Sequence, residues 1–509
     1  MTTHPRRKVV HTGLATALSL LASGCAFDAH WPIPTVRHDA RGRELRAFAV
    51  DGARQANYFQ TLEVGRVVSL GFDTNGDGQP DETLDRAVDN RDWPHCILVL
   101  DGAAFDVVDR LWRDGHFRLF PRPTRVVSVF PGMTDLALTR LFHTPDCIGP
   151  EALYFDKSQN RMVGGSLEYL RGDNAPWLTF VSYHAPQDIG AKAYLDPPTV
   201  FNEELRGAYN AFRGATRGTV SAYSIGAAGL GTRGGPDAIR EYMLTVEQLV
   251  ERVVYEKRGR VRFTLTADHG HNLRPCRRVN FESTLSAAGL RRADQLNDDR
   301  DVVLPAYGLV TYAAAFTRQP RHVAEVLVRD PAVELAAFVD GVEVVVLSRD
   351  GEARIMKQER GHTYVQVRGD PLRLAPIVAR MKKPCEVNEY GVIDDRALFL
   401  ATAEHDYPDP LHRLWQCFHG LMKQPPDVAL SLRDDACHGS WLFELGIGRV
   451  ASTHGSLNLK NSSAFLLSDV GELPRVVRIE DALGAVERAR RATLERIAAH
   501  IDPRPLATY

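Results

Sequence analysis

Hydrophobic and polar positions switch between two periodicities along this chain, and the switches predict its elements. Cys96-Ile-Leu-Val-Leu is an unbroken apolar run of the kind a buried strand requires, and Phe105 to His116 follows with helical spacing. Arg125-Val-Val-Ser-Val-Phe and Gly218-Thr-Val-Ser-Ala-Tyr predict further strands, and Leu178-Thr-Phe-Val-Ser-Tyr is another strand candidate. Over 237–256, Ile239, Met243, Val246, Leu249 and Val253 recur on one helical face, and Arg260-Val-Arg-Phe-Thr-Leu-Thr returns to strand. Such alternation implies an α/β fold, a mostly parallel central sheet flanked by helices. The pattern changes over 308–372. Val333-Glu-Leu-Ala-Ala-Phe-Val, Val342-Glu-Val-Val-Val-Leu-Ser and Glu352-Ala-Arg-Ile-Met-Lys are close-set strands joined by Asp340-Gly341 and Asp350-Gly351 turns. They predict a small α+β insertion, a candidate cap over a site. Residues 373–509 return to helices and loops and end in a charged helix over 479–501.

The first ninety residues read differently. Arg6, Arg7 and Lys8 precede an apolar run over 13–22 that is too short to span a bilayer, and Ala22-Ser23-Gly24-Cys25 follows. This order predicts a lipoprotein signal peptide over 1–25 with Cys25 lipidated; a plain signal peptide is the alternative. The lipobox reading places the protein in a bacterial cell envelope, facing the periplasm or the exterior and held by a lipid anchor alone. Residues 26–60 read as a polar, irregular linker within an N-terminal segment of 26–90. In that segment Asp73, Asn75, Asp77 and Asp81 place oxygen side chains at the first, third, fifth and ninth positions, with Gly78 at the sixth, as in a calcium loop. Leu84 stands where such a loop carries its bidentate glutamate, and an N-terminal β-hairpin turn is the competing account.

Composition narrows the function classes. The chain has 509 residues, 44% hydrophobic and 25% charged, with a formal net charge of −2. No basic surplus argues for nucleic acid, and no charge run suggests a polyelectrolyte tail. The six cysteines after Cys25 form no CxxC pair, which speaks against a cysteine zinc cluster. An exported compartment permits disulfides, and isolated core thiols account for these residues equally well.

Four short segments carry the chemistry. They are Leu-Val-Leu-Asp-Gly ending at Gly102, Phe-Pro-Gly-Met-Thr ending at Thr134, Thr-Ala-Asp-His-Gly ending at Gly270, and Ser-Thr-His-Gly-Ser ending at Ser456. Each sets a carboxylate, hydroxyl or imidazole beside glycine or proline, at the strand edge where open α/β sheets bind ligands. In this order they resemble the alkaline phosphatase superfamily, and within it the type I phosphodiesterase/nucleotide pyrophosphatase branch. The resemblance covers roughly residues 95–475 and implies one hydrolase domain over 91–509, acting on a small-molecule phosphoester. It implies Asp101, Asp268 and His269 as metal ligands, Thr134 as the nucleophile on the same metal, and His454 as a ligand of a second. Two carboxylates and an imidazole suit Zn²⁺, with Mn²⁺ as the alternative.

The chain departs from that family at the second metal. The family's Tyr…Asp-x-x-x-His element falls either on Tyr183, Asp188 and Lys192 or on Tyr223, Ala227 and Gly231. The second register fits the spacing to the following helix better and leaves the second metal without two ligands. Asp188 and His271 are candidate substitutes, and Arg233 is a candidate phosphate contact. A protein that keeps the fold but binds without turnover is the rival reading. His143, His184, His405 and His438 lack metal-ligand spacing and read as surface or structural.

Overall fold

In the computed structural model, residues 31–500 are described, apart from positions 89, 191 and 382. Cys25 lies outside them. At the centre is a six-stranded sheet in the order Thr219–Ser224, His95–Leu100, Arg262–Thr266, Ser463–Ser468, Thr124–Val127, Val476–Arg478. His95–Leu100 is buried at every position, as its unbroken apolar run requires. Five strands run parallel, and Ser463–Ser468 runs against both its neighbours. That inversion matters for the site. A loop leading into an antiparallel strand reaches the same sheet edge as loops leaving the parallel ones.

Helices cover the sheet through apolar stripes. Phe105–Arg113 buries Phe105, Val107, Val108 and Leu111. Gly226–Glu256 starts well before the expected position 237, directly after the Thr219–Ser224 strand. It breaks once, where Gly235 takes φ 66° and Pro236 follows. Glycine tolerates that left-handed turn, and proline, lacking an N–H, suits the start of the next helical segment.

Two expected elements differ. Leu178–Tyr183 is not a strand. Pro176–Phe180 forms a 3₁₀ turn, and the segment meets the sheet only at its end, where Ser182 Oγ accepts from Ser221 N at 3.1 Å and Tyr183 bridges to Ala222. Pro176 sets the turn, and the indole of Trp177 pulls it inward by donating to Asp135 at 3.0 Å. Nor are the described residues of 26–60, from 31 onward, an irregular linker. Thr35–His38, Glu44–Phe48 and Tyr58–Glu63 are the first three strands of a five-stranded antiparallel meander completed by Arg66–Phe72 and Glu82–Asp85. This sheet docks on the long helix: Tyr58 Oη and Gln60 Nε2 donate to Glu251 at 3.2 and 3.0 Å. Burial lifts that carboxyl to about 7. The Asp73–Asp81 loop is the hairpin turn between the last two strands. Asp73 Oδ1 accepts from Gly76 N at 2.6 Å, Asn75 Oδ1 from Asp77 N at 2.9 Å, Asp77 Oδ1 from Gln79 N at 2.9 Å and Asp81 Oδ2 from Thr74 N at 2.7 Å. These oxygens satisfy local backbone, as Asx turns do.

The insertion is larger than 308–372. Its seven-stranded sheet runs from Tyr312–Ala315 to Val428–Leu432, with Val333–Asp340, Glu343–Ser348, Gly351–Gln358 and Gly361–Arg368 as successive hairpins. Of the six described cysteines, all are free thiols and five are buried. No helix among the described residues is long and apolar enough to cross a membrane.

Candidate functional site

Asp101 directly follows the His95–Leu100 strand, and Asp268 and His269 lie just past Arg262–Thr266. Adjacent parallel strands therefore bring them to one sheet edge. Thr134 opens the helix Thr134–Leu141, beyond the Thr124–Val127 strand. His454 lies in the loop that leads into the inverted strand Ser463–Ser468, not after a strand. Asp101, Asp268 and His269 each offer a donor atom within 4.8 Å of the others.

The hydrogen bonds show how these donors are aimed. Asp268 Oδ1 accepts from the N–H groups of Gly102 and His269, both at 2.9 Å. Asp101 Oδ2 accepts from Tyr223 Oη at 2.6 Å and from Thr134 Oγ1 at 3.3 Å. The other oxygen of each carboxylate, Asp101 Oδ1 and Asp268 Oδ2, is buried with no hydrogen-bond partner. His269 Nε2 lies 3.6 Å from the first, 3.2 Å from the second and 3.3 Å from Thr134 Oγ1. His269 Nδ1 faces the carbonyl of Gly270 at 3.1 Å, so it carries the proton and Nε2 keeps its lone pair. Burial holds this imidazole down at about 4 and raises both aspartates, Asp101 further through the charge of Asp268. Buried carboxylate oxygens facing an imidazole lone pair are costly unless a cation sits among them. The donor set of two carboxylates, a neutral imidazole and a hydroxyl fits a divalent metal.

Two further histidines stand beside this set. His454 stacks on His269 with ring centroids 3.8 Å apart, and its Nδ1 donates to the Gly132 carbonyl at 2.8 Å. His271 Nδ1 meets Ser452 Oγ at 3.0 Å. Ser452 donates its proton to Asn272 Oδ1, an acceptor, so His271 Nδ1 is the donor and its buried Nε2 is left without a partner. The ring fits because two glycines clear its space. A Cβ at Gly231 would come within 3.2 Å of its Cε1, and one at Gly102 within 2.4 Å of its Nε2. Gly231 thus faces an imidazole supplied from another part of the chain. Spacing shows a histidine two residues past His269, but not its direction.

Other expected contacts fall elsewhere. Arg233 is exposed and turns to the carbonyl of Leu195 at 2.7 Å, away from the carboxylates. Asp188 is exposed on a short helix. His438 is buried against the Pro305 carbonyl, as a structural histidine should be, whereas His184 lines the cavity described next.

A cavity of about 660 Å³ opens beside Thr134. Asp101, His454, Tyr169, Trp177 and Tyr194 are among its walls, and Tyr307–Val310 closes one side. The insertion sheet itself, from 312 to 432, contributes no lining residue among those described. The segment leading into it does, through Tyr307, Gly308 and the short strand Leu309–Val310, so the expected cap is this segment and not the insertion sheet.

No protein-family model and no curated protein sequence matches the chain. Among solved structures it is similar to human ectonucleotide pyrophosphatase / phosphodiesterase 5, with a TM-score of 0.41 and 10% identity over 78% of this chain and 94% of that one. It is also similar to phosphonoacetate hydrolase from Sinorhizobium meliloti 1021, with a TM-score of 0.41 and 11% identity over 79% of this chain and 96% of that one. The murine phosphodiesterase 5 gives a TM-score of 0.41 and 11% identity over 78% and 94%.

Proposed function

We propose that the chain is a metal-dependent phosphodiester hydrolase of the alkaline phosphatase superfamily with Thr134 as nucleophile. The observation that carries this reading is the convergence of unpartnered Asp101 Oδ1 and Asp268 Oδ2 on His269 Nε2, with Thr134 Oγ1 3.3 Å from that nitrogen. Asp101, Asp268, His269 and Thr134 would hold the ion, Zn²⁺ by donor chemistry, with Mn²⁺ the alternative. When bound, it lowers the pKa of the hydroxyl and offsets charge on the phosphoryl oxygens.

The chain's own groups do the rest. Asp101 Oδ2 accepts the Thr134 proton, and Tyr223 holds that carboxylate in place from the other side. Thr134 is the first residue of its helix, beside backbone N–H groups that have no helical partner and favour an anion. His269 and His454 stay neutral, so neither ring competes with the ion as a cation. Attack of Thr134 Oγ1 on phosphorus breaks the bond to one ester oxygen and releases that alcohol, and water then breaks the Oγ1–P bond, freeing the phosphomonoester and restoring the hydroxyl.

The purified chain, supplied with Zn²⁺, should hydrolyse bis(4-nitrophenyl) phosphate, and chelation should stop it. Release of 4-nitrophenolate indifferent to chelator would overturn the reading. The same proposal extends to the envelope. Cys25 carries a lipid, so wild-type protein should enter the detergent phase on Triton X-114 partition while Cys25→Ala stays aqueous. Equal partition of the two would remove the anchor.

A further inference from the structure

Among the described residues the insertion sheet lines no part of the cavity, yet one side chain from a helix packed on it reaches the loops that do. Pro410–Phe418 lies against Val333–Asp340, Gly351–Gln358 and Gly361–Arg368 of that sheet and buries Leu411, Leu414, Cys417 and Phe418. Pro410 opens it, where a missing N–H costs nothing. On the same helix Arg413 is only 2% exposed. A guanidinium so placed is costly unless its donors are met.

Every hydrogen bond that Arg413 makes among the described residues goes to a main-chain carbonyl. Nη1 donates to Pro408 O at 2.9 Å and Leu457 O at 3.2 Å, and Nη2 donates to Val129 O at 3.0 Å. Burial pulls the guanidinium down to about 9, so it keeps its charge at neutral pH. The acceptors belong to three segments: the entry to the helix, the loop that carries His454, and the loop that ends at Thr134. A planar fork of donors reaches all three, where an ammonium on a flexible stem would not.

The first turn of this helix is bolted to the central sheet. Arg478, at the end of the strand Val476–Arg478, donates to both oxygens of Asp409, at 2.7 and 3.0 Å. His412 Nε2 lies 3.1 Å from Glu480 Oε1, just beyond that strand. The two clasped loops are also joined to each other. Gly132 N donates to Gly455 O at 3.1 Å, and His454 Nδ1 donates to Gly132 O at 2.8 Å. The nucleophile loop is therefore held at Val129 and again at Gly132, just before Thr134.

We propose that Arg413 is a positioning residue for the reaction: it fixes the loops of Thr134 and His454 in one register and so sets Thr134 Oγ1 against Asp101 and His269. The assignment rests on the phosphodiesterase reading and gives the insertion a task in it. Arg413 does not line the cavity, so it acts on Thr134 through the main chain. A small displacement is costly to a nucleophile that must attack in line.

The test follows hydrolysis of bis(4-nitrophenyl) phosphate by the Zn²⁺-supplied full chain and by its Arg413→Lys variant, with rates taken per zinc-loaded chain. The variant's kcat should fall by about 10- to 100-fold, with KM within about twofold of the wild type. A purely structural clasp would lower the melting temperature and leave kcat per loaded chain at the wild-type value, and that result overturns the proposal. Hydrogen exchange on the wild-type chain reads the same coupling without turnover and without a variant. Segments 129–134, 409–415 and 454–459 should share one opening free energy. Either loop opening at a lower free energy than 409–415 would sink the proposal, even where Arg413→Lys does not fold. A wild-type chain that cleaves no ester would end the catalytic reading instead, and the exchange result would still decide whether Arg413 ties the two loops.

Discussion

Thr134→Ala is expected to lower kcat/KM for bis(4-nitrophenyl) phosphate by on the order of 10³-fold or more, as loss of a nucleophile does. The hydroxyl is the one reactive group among the converging donors, 3.3 Å from both His269 Nε2 and Asp101 Oδ2. Its removal should leave folding intact. Thr134 is half-buried at the start of a helix, and its bond to Asp101 is long, contributing at most ~1 kcal/mol. The melting temperature should therefore stay near that of the wild type while turnover disappears. Thr134→Ser, which keeps the oxygen, should retain activity within about tenfold. An alanine variant as active as the wild type would show that the hydroxyl is not the attacking group.

Asp268→Asn should abolish tight metal binding without harming the metal-free fold. The introduced carboxamide would still accept from Gly102 N and His269 N through its oxygen. Its NH₂ group would face Asp101 Oδ1 and His269 Nε2, both acceptors, where the wild type sets a second buried carboxylate. The metal-free variant should thus melt no lower than the metal-free wild type, because one of two like buried charges is gone. Wild-type protein at a hundredfold excess of Zn²⁺ over its Kd gains about 2.7 kcal/mol by linkage, and the variant should gain none. Elemental analysis after desalting should find about one ion per wild-type chain, since Ala227 and Gly231 offer no ligand and His271 with His454 supplies only two donors. Two ions retained per chain would show that the imidazoles of His271 and His454 anchor a second metal after all. Zn²⁺ stabilisation persisting in Asp268→Asn would remove Asp268 from the ligand set.

Much of this was legible in the residues, for identifiable reasons. An apolar run ending in Asp-Gly marks a buried strand and its functional edge, so Cys96–Gly102 and the segment before Asp268 could be read directly. Leu178–Tyr183 could not, because its apolar content serves a turn fixed by Pro176 and by the indole–carboxylate bond of Trp177. The meander over 35–85 escaped because its early strands, Thr35–His38 and Glu44–Phe48, are exposed or only half-buried along most of their length. The role of Gly231 was visible only as an absent side chain. What fills its space, His271, arrives from forty residues away and is a tertiary fact. Arg233 was drawn toward the site by proximity in sequence, whereas helical geometry turns it outward to Leu195.

The inverted strand also sets a schedule. Ser463–Ser468 lies between Arg262–Thr266 and Thr124–Val127, so the central sheet has a gap in its middle until the last tenth of the chain is available. During synthesis, Thr124–Val127 has neither of its strand partners until then, and the loop bearing His454 is not yet anchored. Metal capture and final closure of the sheet are thereby coupled to release of the finished chain. A chain that ends early would lack both its central strand and its third imidazole, and so could not become a partly active enzyme.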